Sequence, residues 1–161
     1  MGTVNLICGK ICSGKSWYAR NLKAQGGVIL STDEVTFDLS DNRQGEGYDQ
    51  FAARVNRYLR KKAGEIALAG CDVILDWGFW RRADREEITG YFRNLGVPVR
   101  WHYVDVSDAV WERNIAARNA NILKGDGGSD FYVDEGLKNK VLSLFEVPQK
   151  EEMDVWCEVK W

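Results

Sequence analysis

Eight residues near the N-terminus, Gly9-Lys10-Ile11-Cys12-Ser13-Gly14-Lys15-Ser16, carry the spacing G-x-x-x-x-G-K-S. Their types suit one task, the gripping of a polyphosphate. Glycines at both ends let the backbone curl until successive N–H groups, here those of Gly9 and of Ile11 to Ser16, point inward at an anion. Lys15 is placed to reach the β- and γ-phosphates, and the Ser16 hydroxyl to ligate Mg²⁺. The apolar run Val4–Cys8 reads as a buried strand entering the loop, and Ser16–Leu22 as the first turns of a helix leaving it, so the helix N-terminus adds positive potential. A strand, this loop and a helix in that order bind a nucleoside triphosphate.

Four further features bear on what is done with it. Asp76 closes the apolar strand Val73-Ile74-Leu75, where a P-loop protein needs a carboxylate for its Mg²⁺, directly or through water. Asp33 follows a second strand in Ser31-Thr32-Asp33. Ligands of open α/β sheets sit beyond the carboxyl ends of the strands, so Asp33 is either a base for an attacking hydroxyl or an N-cap for the helix that follows. Arginines suited to phosphoryl charge occur as Arg81, Arg82 and Arg85 after Asp76, and as Arg113 and Arg118 before Gly125-Asp126-Gly127-Gly128. The last two are five residues apart and cannot share a helix face; Arg118, nearer the glycine-rich segment, is the better placed. Arg54, Arg57 and Lys61 form a basic stripe at helical spacing, read as a solvated face or as a contact for an anionic substrate, including a nucleic-acid backbone.

Aromatic residues add a hint about shape. Trp77 and Trp80 flank Gly78 just past Asp76, on the rim where a ligand would lie, and can stack on a base or sugar ring. His102, between Trp101 and Tyr103 inside a strand, reads as a buried structural imidazole. The four cysteines (Cys8, Cys12, Cys71 and Cys157) lie on or beside expected strands with no zinc spacing, and read as small reduced core residues. Cys12 alone, near a helix N-terminus, is expected to favour its thiolate.

The elements that must position these groups alternate strand with helix, which predicts a parallel sheet flanked by helices. Strands are expected at 4–8, 27–32, 71–76, 97–105 and 155–159. A long helix is expected over 48–70 with Phe51, Val55, Tyr58, Leu59 and Ile66 on one side, and another carries Ile88, Tyr91, Phe92 and Leu95 and closes at Gly96. Ser107 reads as the N-cap of the helix with Trp111 and Ile115. A last helix holds Leu137, Val141, Leu144 and Phe145, stopped by Pro148. The weakly patterned, glycine-rich stretches 38–47 and 124–130 suit loops over an active site, the second within a small lid spanning about 118–134.

With 161 residues the chain reads as one domain, and 45% apolar and 29% charged residues are those of a globular protein. A net charge of −2 gives no global attraction to nucleic acid or anionic lipid. The N-terminus shows no basic stretch followed by an apolar run, and a cytoplasmic location without membrane contact is the expectation. A GTPase-type switch is disfavoured: N-K-x-D is absent, and Asp76-Trp77-Gly78 places its glycine one residue too early for D-x-x-G.

Taken together, the loop, Ser31-Thr32-Asp33, the run from Val73 to Arg85, Trp111–Asn119 and Phe145-Glu146-Val147-Pro148 resemble the small P-loop kinases grouped with zeta-toxin, polynucleotide kinase, gluconate kinase and chloramphenicol phosphotransferase. The resemblance runs nearly end to end. It implies a three-layer P-loop NTPase fold with a five-stranded parallel sheet in order 2-3-1-4-5, and ATP with Mg²⁺ as phosphoryl donor. It implies further that Asp33 is the base, that Arg118 is the lid arginine on the ATP phosphates, and that Arg82 and Arg85 fall in the segment lining the substrate side; Trp77, by its place on the rim, is expected there too. Members act on unrelated hydroxyl compounds, so a small-molecule or nucleoside-like acceptor is expected without being identified. The alternatives are a polynucleotide 5′-hydroxyl kinase, or a P-loop ATPase or nucleotide-binding protein without a transfer substrate.

Overall fold

Strand β1 (Val4–Cys8) is buried on both faces, and its alternation sends Val4, Leu6 and Cys8 to one side of the sheet and Ile7 to the other. This computed structural model describes residues 1–40, 46–128 and 130–160. Five strands, β1, β2 (Val28–Ile29), β3 (Val73–Gly78), β4 (Val99–Val106) and β5 (Val155–Val159), form one sheet in order β2-β3-β1-β4-β5. Every pairing is parallel, as expected for strands linked by crossover helices.

Helices cover both faces. On one side α3 (Tyr48–Leu68) and α4 (Arg82–Asn94) close a core that includes Leu6, Ala63, Ala67, Leu75, Phe92 and Trp101. On the other, α1 (Lys15–Ala24), α5 (Asp108–Leu123) and α6 (Glu135–Leu144) pack over Ile7, Ile74, Val104, Trp111 and Val141. The order and three-layer arrangement are those expected from the sequence. Among the described residues no helix is long and apolar enough to cross a membrane.

Several boundaries differ, each for a local reason. The second strand keeps only two residues, because Ser31 leaves it to cap α2 (Thr32–Leu39), its hydroxyl accepting from the Glu34 N–H at 3.3 Å. Asp33 is therefore a first-turn residue, and the cap falls to Ser31. Of the stretch expected as a loop over 38–47, residues 38 and 39 finish α2 and residues 41–45 lie outside those described. Helix α3 buries Val55, Leu59, Ala63 and Ala67, while Tyr58, expected on that side, is exposed beside the Lys62 ammonium. The small residues Ala63 and Gly64 let α3 approach α4 closely; a Cβ on Gly64 would come within 2.9 Å of Leu95. Cys71 is exposed in the turn before β3. Ser107 does cap α5, accepting from Val110 N–H at 3.3 Å, and α6 ends at Leu144, before Pro148.

Arg85 ties this architecture together. It is 3% exposed, and its guanidinium donates to the carbonyls of Phe79 (3.0 Å) and Glu146 (3.1 Å) and to the Glu152 carboxylate (3.1 Å). One side chain thereby joins the end of β3, the segment after α6 and the 3₁₀ turn Lys150–Glu152. Glu146 answers from the other direction, its carboxylate accepting from the Arg82 N–H at 2.9 Å, at the start of α4. Removing one member of a buried pair leaves the other uncompensated, typically at about 3–5 kcal/mol. Arg85→Met is expected to lower the unfolding free energy by about 3 kcal/mol in urea titrations. A loss below about 1 kcal/mol would mean that Arg85 is not a structural tie.

Candidate active site

The loop between β1 and α1 is held from outside as well as by its glycines. Helix α5 reaches it twice, with the Trp111 indole N–H donating to Ile11 O at 2.7 Å and the Asn114 amide to Cys12 O at 3.0 Å. Gly14 sits at φ 100°, and a Cβ on Gly9 would come within 2.7 Å of the Ser13 hydroxyl, so both glycines are required by the curl of the chain. Cys12 adopts φ 58°, a left-handed conformation that non-glycine residues hold only where surrounding structure imposes it. The Ser13 side-chain oxygen is buried with no hydrogen-bond partner among the described residues. An orphaned buried hydroxyl inside such a loop fits a site made for an anion.

Around the loop lies a pocket of about 250 Å³ that gathers groups from four parts of the chain. Lys15, Ser16 and Trp17 come from α1, Asp33 from α2, Asp76 from β3, and Asn114 and Arg118 from α5. Lys15 donates to Lys10 O at 2.6 Å, and the Ser16 hydroxyl lies 3.5 Å from Asp76 Oδ2. Arg118 is paired with Asp130 at 3.3 Å. Burial pushes the Asp33 and Asp76 carboxyls above the ordinary aspartate range, against the attraction of Lys15. Burial likewise drives the Lys15 ammonium below its ordinary value, opposed by Asp76 and Asp33. Ser16 and Asp76 are hard oxygen donors of the kind Mg²⁺ takes together with phosphate oxygens and water. Among the described residues no group of three or more His, Cys, Asp or Glu could hold a metal by itself, so a cation here would need ligand oxygens from a bound phosphate.

The pairing of β1 with β3 shifts register beside this pocket. Leu6 pairs with Leu75 but Cys8 with Gly78, so β3 carries one extra residue across Asp76 and Trp77. Such an insertion re-aims the side chains around it. Asp76 lines the phosphate pocket, while Trp77 lines a second cavity of about 850 Å³ together with Trp80 and residues of α3, α4 and α6. The Trp77 indole donates to Leu30 O at 2.8 Å and stacks on Phe79 at 5.9 Å. The cavity therefore borders the end of β2, three residues before Asp33.

The structure brings together most of the residues singled out above, but not all. Arg118 lines the phosphate pocket, whereas Arg113 is exposed and does not. Arg82 lines neither cavity; it is exposed in an ion pair with Glu86. Arg85 is the buried tie described above, with its donors taken by carbonyls and Glu152. The arginine that does line the larger cavity is Arg81, paired with Asp84 at 2.9 Å. The expectation for Cys12 is reversed: its thiol is raised by burial, which outweighs Arg118 and Lys15. His102 is 2% exposed between Tyr18 (2.9 Å) and Asn5 (3.0 Å), its basicity pulled down to about 4 by burial, a structural imidazole as expected. Trp17 and Asn114 also line the pocket, and residue type and spacing do not single them out. Asn114, one residue short of the buried Ile115 on a helix already expected to approach the loop, was the more discoverable. The segment expected as a lid is clasped at its far end, where the Asn119 amide and the Val133 backbone exchange two hydrogen bonds of 2.8 Å.

This arrangement is a P-loop nucleotide-binding domain with a kinase-like α/β fold. The chain belongs to the AAA domain family AAA_33, whose model matches residues 4–148. No curated protein matches the chain in sequence. Solved structures resemble it throughout: Chaetomium thermophilum Kti12 in complex with ADP-AlF3 has a TM-score of 0.72 at 16% identity, covering 98% of this chain and 89% of its own. The Mycobacterium tuberculosis APS kinase CysC in complex with AMPPNP and APS reaches 0.68 at 17%, covering 98% and 88%. A gluconokinase from Sinorhizobium meliloti reaches 0.64 at 16%, covering 99% and 83%. At these identities the likeness is one of fold.

The raised carboxyls have a consequence for stability. The folded chain holds protons on Asp33 and Asp76 more tightly than the unfolded chain does. Ligand-free stability therefore falls as pH rises from the ordinary aspartate range through the raised values. Asp33→Asn and Asp76→Asn are each expected to raise the urea midpoint of the ligand-free protein at neutral pH and to flatten that decline. Midpoints lowered in both variants would show that the two carboxylates support the fold.

Proposed function

We propose that this protein is a kinase that transfers the γ-phosphoryl group of ATP to a hydroxyl of a small-molecule or nucleoside-like acceptor. What carries the reading is Asp33, a second carboxylate lining the phosphate pocket beyond the one a Mg²⁺ site needs, with its carboxyl raised above the ordinary aspartate range. Nucleotide binding alone gives no reason to hold it there. The neighbouring larger cavity supplies room for an acceptor on the same rim.

In this reading the backbone of Gly9–Ser16 cradles the phosphates and the Lys15 ammonium neutralises charge on the β- and γ-groups. Ser16 and Asp76 hold Mg²⁺, which when bound draws charge from the phosphate oxygens. Asp33 accepts the proton of the acceptor hydroxyl as its oxygen bonds to the γ-phosphorus. The bond to the β,γ-bridging oxygen breaks, and ADP departs with that electron pair. Arg118 exchanges Asp130 for the equatorial oxygens of the transferring group. Kinase neighbours in fold support the donor and the reaction type.

The acid limb of the activity profile follows from the site. Burial raises the Asp33 carboxyl, so the active, ionised form is lost at a higher pH than for an ordinary aspartate. Asp33→Asn is expected to keep ATP·Mg²⁺ binding by calorimetry while kcat falls by about 100-fold or more, and to abolish that limb. Unchanged turnover in this variant removes Asp33 from the mechanism. Absence of any heat with ATP and Mg²⁺ for the unaltered protein removes the proposal itself.

A further inference from the structure

The lining of the larger cavity narrows the acceptor. Its cations are Arg57 and Arg60 from α3, Arg81 at the start of α4, and Lys140 from α6; its carboxylates are Asp49, Asp84 and Glu87. Two of these pairs are closed, Arg60 with Glu87 at 2.8 Å and Arg81 with Asp84 at 2.9 Å. Arg57 and Lys140 have no ion pair among the described residues. Asp49 is offset by its own position in the first turn of α3, where the helix dipole favours a carboxylate. Two cations outside any ion pair among the described residues thus line the cavity from α3 and α6, and the aromatic side chains of Trp77, Trp80 and Phe79 line it with them.

Resting on the kinase reading above, we propose that the acceptor is a nucleotide rather than a neutral alcohol. Its flat base would lie against the Trp77–Trp80 wall, and Arg57 and Lys140 would hold a phosphate it already carries. Guanidinium and ammonium groups left unpaired beside a cavity select for phosphate, and an indole wall selects for a ring with a π-face. A volume of about 850 Å³ is of the order of a small-molecule site and accommodates a nucleoside monophosphate. The same chemistry is offered by a free nucleotide and by the end of a strand. Arg54 and Lys61 distinguish them: both are exposed on α3 and neither lines the cavity, so a free nucleotide does not need them.

Transfer from γ-labelled ATP should be followed to nucleoside 3′- and 5′-monophosphates, the matching nucleosides, 5′-hydroxyl oligonucleotides and uncharged sugars. Phosphate-bearing acceptors are expected to exceed nucleosides in kcat/KM by about tenfold or more. Arg57→Gln and Lys140→Met, both at exposed positions, are each expected to raise KM about tenfold for those acceptors alone, with the KM for ATP unchanged. If Arg54→Ala/Lys61→Ala leaves KM unchanged for nucleotides and oligonucleotides alike, the source is a free nucleotide; if it raises KM for oligonucleotides, the source is a strand end. Equal transfer to nucleosides or sugars, or no response to Arg57→Gln and Lys140→Met, overturns this inference and leaves the kinase reading standing. Should no acceptor be phosphorylated, the kinase reading fails, and calorimetry with nucleoside monophosphates in saturating ADP·Mg²⁺ decides the cavity separately. Binding lost in Arg57→Gln upholds the anion site; no binding to the unaltered protein overturns it.

Discussion

Everything at the rim of the sheet depends on three charged groups gathered around one loop: the ammonium of Lys15 and the carboxylates of Asp33 and Asp76. Desolvation disfavours the charged form of each; Lys15 and the carboxylates offset one another, while Asp33 and Asp76 repel. Such a cluster is poorly satisfied until a polyphosphate with its cation joins it. The strain in Cys12 and the unpartnered Ser13 hydroxyl belong to the same condition. Stability given up at this end of the molecule is what leaves the groups available to a ligand.

Holding that cluster requires a scaffold that does not yield, and the chain builds it from side chains that touch no phosphate. Trp111 and Asn114 fix the outer wall of the loop by bonding its carbonyls. His102, neutral between Tyr18 and Asn5, joins α1 to the strands beneath it. Arg85 and Glu146 do the same on the other side, closing the turn after β3. These bonds draw their strength from burial, where a lost partner is costly. They also explain how an arginine close in sequence to the site comes to serve the fold.

The two cavities lie on either side of one strand end. Consecutive residues of β3 line different cavities, Asp76 the pocket around the loop and Trp77 the second compartment, as the alternation of strand side chains dictates, with an extra residue in β3 at the same point. Proximity then follows without flexible connections, since both compartments open from the end of one central strand. Helix α3 lines the second compartment with residues on a face adjacent to its buried Val55, Leu59 and Ala63, which is how one helix serves both core and cavity.

Much of this was legible in the residues. Gly9 to Ser16 between an apolar strand and a helix can hardly do anything but bind phosphate, because the backbone geometry follows from glycine placement. The alternation of strands and helices predicts the parallel sheet, and Asp33 and Asp76 are placed on its rim by the ends of their strands. What the chain's order could not convey were choices made between distant segments. Arg82 and Arg85 look equivalent in sequence, yet one meets Glu86 in solvent and the other meets carbonyls brought from residues 79 and 146. Cys12 looks activated by a helix terminus, yet burial governs its thiol. Local patterning determined the loop, the elements and their order, since those depend on neighbours within a few residues. Which charged groups are buried, paired or left open to a cavity was decided only by tertiary structure, because desolvation depends on what the rest of the chain packs against them.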